Sequence, residues 1–148
     1  MKKLLLIILS LWLFAQELHI KSQKFVYDSK RLKSVFTGDV NATKGKDNIL
    51  SDEMIIYFNK QKKPIKFEAI GNVRFKFVLD NNITYQGHCE KLEYFIKSGD
   101  ILLLKNAYVK KLETNESISA DKIKINRFTK DVNVIGNKKP VNIIIKVD

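Results

Sequence analysis

The chain has 148 residues and carries 27 Lys and Arg against 16 Asp and Glu, a formal net charge of +11, so it has the length of one domain and a basic surface suited to anionic partners. Its single cysteine, Cys89, rules out an internal disulfide framework, and its two prolines, Pro64 and Pro140, leave no proline-rich linker. The lysines are scattered singly and form no basic helix or run, which argues against nucleic acid as the partner.

Met1-Lys2-Lys3 is a basic start, Leu4 to Phe14 is an apolar run of 11 residues broken only by Ser10, and Ala15 precedes polar Gln16-Glu17. This pattern predicts a secretory signal peptide over 1–15 and a mature domain over 16–148. The run is short for a membrane span, which needs roughly 20 apolar residues. Removing the two n-region lysines leaves the mature chain at +9. An exported domain without disulfides must be held by sheet pairing and apolar burial.

No window after Ala15 shows sustained helical periodicity. Short alternating stretches are expected at Phe25–Tyr27, Val35–Thr43 and Ile49–Phe58, with turn chemistry at Asp28-Ser29, across Lys44–Asn48 and across Asn59–Lys63. The clearest strand runs from Ile65 to Leu79. Its odd positions are apolar or small, and its even positions are mostly charged or polar, including Lys66, Arg74 and Lys76. Gly71 at its middle predicts a bulge or bend, and Asp80-Asn81-Asn82 a turn. In the next strand, from Ile83, the apolar set changes phase near Glu90, which predicts a second irregularity there. Strands at Ile101–Leu112, Ser117–Arg127, Asp131–Ile135 and Val141–Val147 complete the series. The fold class is all-β.

The strands repeat. A small or turn-forming residue precedes an apolar alternation at Gly38-Asp39-Val40, Gly71-Asn72-Val73, Asn106-Ala107-Tyr108-Val109 and Gly136, at steps of 33, 35 and 30 residues. Between them an acid opens a second alternation, at Asp52, Glu90 and Asp121. A period near 33 with two strands per unit indicates stacked β-strand pairs. Recurrence of the acids at matching points assigns them a turn or rung role. Nothing resembles a catalytic constellation: His19 and His88 are isolated, Ser51 and Ser119 have no neighbouring base, and no cofactor or metal set is spaced for binding. The chain is read as a non-enzyme.

The ordered set Phe36-Thr37-Gly38-Asp39-Val40, Leu50-Ser51-Asp52-Glu53-Met54, Gly71-Asn72-Val73, Gly87-His88-Cys89-Glu90-Lys91-Leu92, Lys105-Asn106-Ala107-Tyr108-Val109 and Ser119-Ala120-Asp121-Lys122-Ile123 resembles the OstA-like domain of the LptA/OstA family of periplasmic lipopolysaccharide-transport proteins. The resemblance spans roughly Ile20 to Val147, with Asn106 standing where the family has a glycine. It implies a V-shaped β-jellyroll of about 16 antiparallel strands, with an apolar interior that holds the acyl chains of lipid A. It also implies copies joined end to end between an inner-membrane transport complex and an outer-membrane translocon. A lipid carrier needs a continuous apolar lining, each buried CH₂ contributing roughly 0.8 kcal/mol. The expected lining is Phe67, Val73, Phe75, Phe77 and Leu79, with Ile83 and Tyr85 from the next strand. The expected assembly edge is the last strand, with Val141, Ile143, Ile145 and Val147 on one face. Two alternatives stay open on the sequence: a membrane-anchored OstA-like partner of the same complex, and an exported structural β-protein with no lipid ligand.

Overall fold

The computed structural model describes residues 17–79 and 82–147; the signal peptide expected over 1–15 and part of the turn at Asp80-Asn81 lie outside them. Among the described residues ten strands run in chain order: β1 (Leu18–Lys21), β2 (Lys24–Asp28), β3 (Lys33–Lys44), β4 (Asp47–Phe58), β5 (Pro64–Val78), β6 (Thr84–Phe95), β7 (Asp100–Lys111), β8 (Ser117–Asn126), β9 (Val132–Ile135) and β10 (Asn142–Ile144). There is no helix among the described residues. All pairings are antiparallel, in the order β1-β3-β4-β5-β6-β7-β8-β10, with β2 also on β3 and β9 also on β8. The path does not return on itself, so the sheet is open. The expected count of about 16 strands exceeds the ten observed, because the six long strands are continuous through a mid-length irregularity.

That irregularity is one line crossing the sheet. The register shifts between Thr37 and Val40 in β3, Leu50 and Glu53 in β4, Ile70 and Val73 in β5, His88 and Lys91 in β6, and Leu104 and Ala107 in β7. At each step the extra residue belongs to β3, β5 or β7, where paired left-handed residues sit: Gly38 and Asp39 (φ 87 and 45°), Gly71 and Asn72 (85 and 47°), Lys105 and Asn106 (63 and 49°). Lys105, not Asn106, therefore holds the glycine's place in the third repeat. The break at Glu90 lies where the phase change puts it, but β6 itself carries no extra residue. Instead its buried positions pass from Cys89 to Leu92, as those of β8 pass from Ala120 to Ile123.

The acids of the even strands tie this line together. Asn72 donates to Asp52 at 3.0 Å and Asn106 donates to Glu90 at 3.1 Å. Asp121 accepts the backbone N–H groups of Asn137 and Lys139 at 2.7 and 3.1 Å, and these bonds hold its carboxyl below the usual carboxylate range. The edge strands break at the same level. β1 and β2 pair with different halves of β3, and β10 and β9 with different halves of β8. Residues on one side of the line form a first layer with β1 and β10; residues on the other form a second layer with β2 and β9. Their inner faces meet in one apolar cluster that joins Phe75, Phe77 and Val109 of the first layer to Leu92, Ile101, Leu103, Ile123 and Ile125 of the second.

Outside the second layer, Lys66 and Lys91 each pair with both Glu68 and Glu93 at 3.3 to 3.5 Å. The Lys66 ammonium also lies over the Tyr57 and Phe95 rings. This lattice allows Glu68 to be buried at 7 % exposure without being orphaned.

Candidate functional site: an apolar cavity between the layers

The bent strands leave a cavity of about 300 Å³ between the two layers, at the low end of the roughly 300–1,000 Å³ typical of ligand pockets. Its first-layer wall comes from Leu18 of β1, Ala42 of β3, Ile49 of β4 and Phe77 of β5. Met54, Pro64, Phe67, Tyr94 and Ile96 form the second-layer wall. Alternation puts these side chains inside. Ile49 and Phe75 are register partners on one side of the break, as are Phe67 and Tyr94 on the other, and the bend turns both inner faces toward each other. Phe67 and Tyr94 meet edge-on at 6.0 Å, and Phe75 stacks on Phe77 at 5.3 Å, so the aromatic floor is prearranged.

The seven expected lining residues divide into three groups. Phe67 and Phe77 line this cavity. Val73 and Phe75 belong to the buried cluster beside it, with Tyr85 half-buried against that cluster. Leu79 is buried and Ile83 half-buried at the turn, where the Leu79 N–H donates to the Ile83 carbonyl at 2.9 Å. The walls from β1, β3 and β4 escaped the sequence reading. Their alternation was visible, but which face of a bent strand meets which depends on the bend.

Polar groups collect at one part of the lining, where Lys44, Asp47, Asn48 and Arg127 stand. Arg127 Nη1 lies 2.7 Å from Asp47 Oδ2. Asp47 opens β4 in the first layer and accepts the Val78 N–H at 2.9 Å. Arg127 follows β8 in the second layer, where its own N–H donates to the Gly99 carbonyl at 2.8 Å. Burial lowers the guanidinium pKa, but the hydrogen bond and charge of Asp47, with Tyr94 adding to them, outweigh it and raise the value overall.

The residues set aside as non-catalytic keep ordinary partners. His19 sits 3.1 Å from Glu17, and His88 stacks on Tyr108 at 5.2 Å. Cys89 is buried in the core cluster, and burial pushes its thiol up to about 12. At the outer edges, Phe25, Val26 and Tyr27 of β2 are exposed, as are Val132 and Ile135 of β9. Of the expected assembly face, Ile143 lies in β10, while Val141, Ile145 and Val147 flank it; all four are exposed.

A family model described as "LptA/(LptD N-terminal domain) LPS transport protein" matches residues 19–131. Among solved structures, LptH from Pseudomonas aeruginosa, described as the LptA homologous periplasmic component of the lipopolysaccharide transport device, aligns with a TM-score of 0.78. The two sequences are 15% identical over 89% of this chain and 96% of that one, a likeness that establishes the jellyroll fold. No curated protein matches at the level of sequence.

Proposed function

Since the chain belongs to the family of LptA and LptD N-terminal-domain lipopolysaccharide transport proteins, we propose that it is a periplasmic carrier that conducts lipopolysaccharide from the inner to the outer membrane along the space between its two layers. The observation that carries this reading is the aromatic and aliphatic cavity between the layers, with cationic groups at one part of its lining. Acyl chains replace water against Phe67, Phe77 and Ile49, and the phosphorylated sugars stay near Lys44 and Arg127. Passage along such a surface requires no bond to be made or broken in this chain, so the work of transport is supplied elsewhere. The N-terminal run directs export and is removed before Gln16.

Copies of the chain, and the inner- and outer-membrane components of the same pathway, are the proposed protein partners. The sheet ends in β1 and β2 on one side and in β9 and β10 on the other, so a strand from a neighbour has a backbone edge to join at each end. Such head-to-tail contact does not close and gives a rod.

The test is mass spectrometry of the protein purified from its native envelope without detergent. The expected result is a mature N-terminus at Gln16 and co-purified lipopolysaccharide. Protein that carries no amphiphile, and takes up none when lipopolysaccharide is added, would overturn the carrier reading in favour of a structural β-protein. Retention of Met1 would instead indicate an anchored partner of the same complex.

A further inference from the structure

The Asp47–Arg127 pair is the only ion pair joining the two layers among the described residues; the others are local or lie within one layer. It stands on the wall of a cavity that is otherwise mainly apolar. Each partner is fastened to its own layer, Asp47 through Val78 N–H and Arg127 through Gly99 carbonyl, so neither follows the other if the layers separate. The side chains are only 13% and 26% exposed, which makes an unpaired charge at either position costly.

We infer that Arg127 is the residue that reads the phosphate of an acylated guest, and that Asp47 occupies its guanidinium only while the cavity is empty. The inference rests on the carrier reading above and adds to it a named specificity residue and its internal competitor. A guest wedged between Phe67 and Phe77 widens the gap and breaks the 2.7 Å contact. The guanidinium then needs an acceptor. A phosphate monoester is tetrahedral, but two of its terminal oxygens can take the place of a carboxylate's two, and arginine meets them with two parallel N–H donors. Lys44, on the same lining, adds a second cation. An amphiphile with chains but no phosphate fills the apolar walls and leaves Arg127 without a partner. The site therefore discriminates by charge at its rim, and by chain volume inside. Asp47 keeps the empty protein closed and sets the threshold a guest must exceed.

The experiment compares binding of diphosphoryl lipid A with binding of the same lipid stripped of its phosphates. It uses the wild-type protein, Asp47→Asn, Arg127→Gln and the double variant, each checked for fold by circular dichroism. Asparagine still accepts the Val78 N–H, so Asp47→Asn removes only the competing charge. It is expected to widen the preference for the phosphorylated lipid about tenfold, the size of one charge-assisted hydrogen bond. Arg127→Gln is expected to abolish that preference while keeping affinity for the chains. If Arg127→Gln does not fold because Asp47 is left unpaired, the double variant provides the same comparison without the orphaned acid. A folded Arg127→Gln protein with an intact preference, or an Asp47→Asn protein with an unchanged one, overturns the inference. Wild-type protein that binds both lipids equally overturns the inference and leaves the carrier function standing, whereas wild-type protein that binds neither overturns both.

Discussion

Asn72 of β5 donates its side-chain amide to the Asp52 carboxylate of β4 at 3.0 Å, and the same carboxylate lies against Gly71. The contact spans the point where β5 carries its extra residue and turns from one layer to the other. The joint recurs one repeat on, where the left-handed Lys105-Asn106 pair of β7 meets Glu90 of β6; Gly38-Asp39 meets Gln23 instead, and Asp121 receives the backbone N–H groups of Asn137 and Lys139.

Gly71→Ala should lower stability by about 1–3 kcal/mol, because a left-handed φ costs an L-residue about 1–2 kcal/mol. A Cβ there would also stand 2.6 Å from Asp52 Oδ2. Asn72→Gly keeps the backbone conformation and loses only the amide, so it should cost about 0.5–1.5 kcal/mol. Asn72→Ala should cost about 1 kcal/mol more than Asn72→Gly. Urea denaturation of the three variants gives the ordering. An Asn72→Ala protein as stable as Asn72→Gly would show that the left-handed conformation imposes no strain there.

Cys89 should resist alkylation in the folded protein at pH 8 and react at once in denaturant, since a thiol pushed up to about 12 holds almost no thiolate there. The linkage has a definite sign. The neutral thiol is favoured in the native state, so its contribution to stability is intact below the ordinary value of 9.0 and declines as pH rises from there toward 12. Cys89→Ala should remove that part of the alkaline decline. A folded protein that alkylates at the rate of a free thiol would contradict the burial.

Photo-crosslinking amino acids at Phe67, Phe77 or Ile49 should capture added lipopolysaccharide, while the same groups at Arg74 or Lys76 should not. The first three line the cavity; the last two alternate with the buried positions of β5 and are exposed. Replacing Arg74 and Lys76 together by alanine should change lipid affinity only a few-fold, as expected of exposed charges. Equal labelling of both faces would refute the placement of the guest between the layers.

Removing residues 140–148 should leave a folded protein that no longer forms concentration-dependent oligomers. β10 contributes only Asn142–Ile144 to the sheet, and Ile143, Ile144 and Ile145 are 49, 57 and 64% exposed, so the core loses little. Light scattering over a concentration series decides the matter: unchanged oligomers in the truncated protein would assign the contact to another edge.

Much of the fold was legible in the residues because a half-buried antiparallel strand records its own orientation. Ile65 to Leu79 alternates through its whole length, and β5 occupies Pro64–Val78. The turns at Asp28, Asn59 and Thr114 carry their own chemistry; for example, Asp28 Oδ1 accepts the N–H groups of Lys30 and Arg31. β1 was missed as a separate strand because Leu18–Lys21 is short and exposed, leaving little pattern to read. The cavity was half legible. Phe67 and Phe77 follow from alternation within one strand, but Leu18, Ala42 and Arg127 come near them only through the bend, a property of six strands together. The Asp47–Arg127 contact joins residues 80 positions apart in sequence and leaves no local trace.

The break shared by the outermost strands also governs what can join them. β1 and β2 are separated at Ser22-Gln23, and β9 and β10 across 136–141, each at the level of the bend. An ordinary straight strand laid along either border can match one layer and must leave the other. A newcomer satisfies both only if it carries its own interruption at the same height. The border thus works as a keyed joint. Flat, promiscuous partners find half a seat, which shields an open sheet from amyloid-like stacking, while a strand with the matching step is aligned as it docks. A slip of one residue would present the wrong side chains inward, so the step that shapes the cavity also fixes the register of whatever adds to its ends.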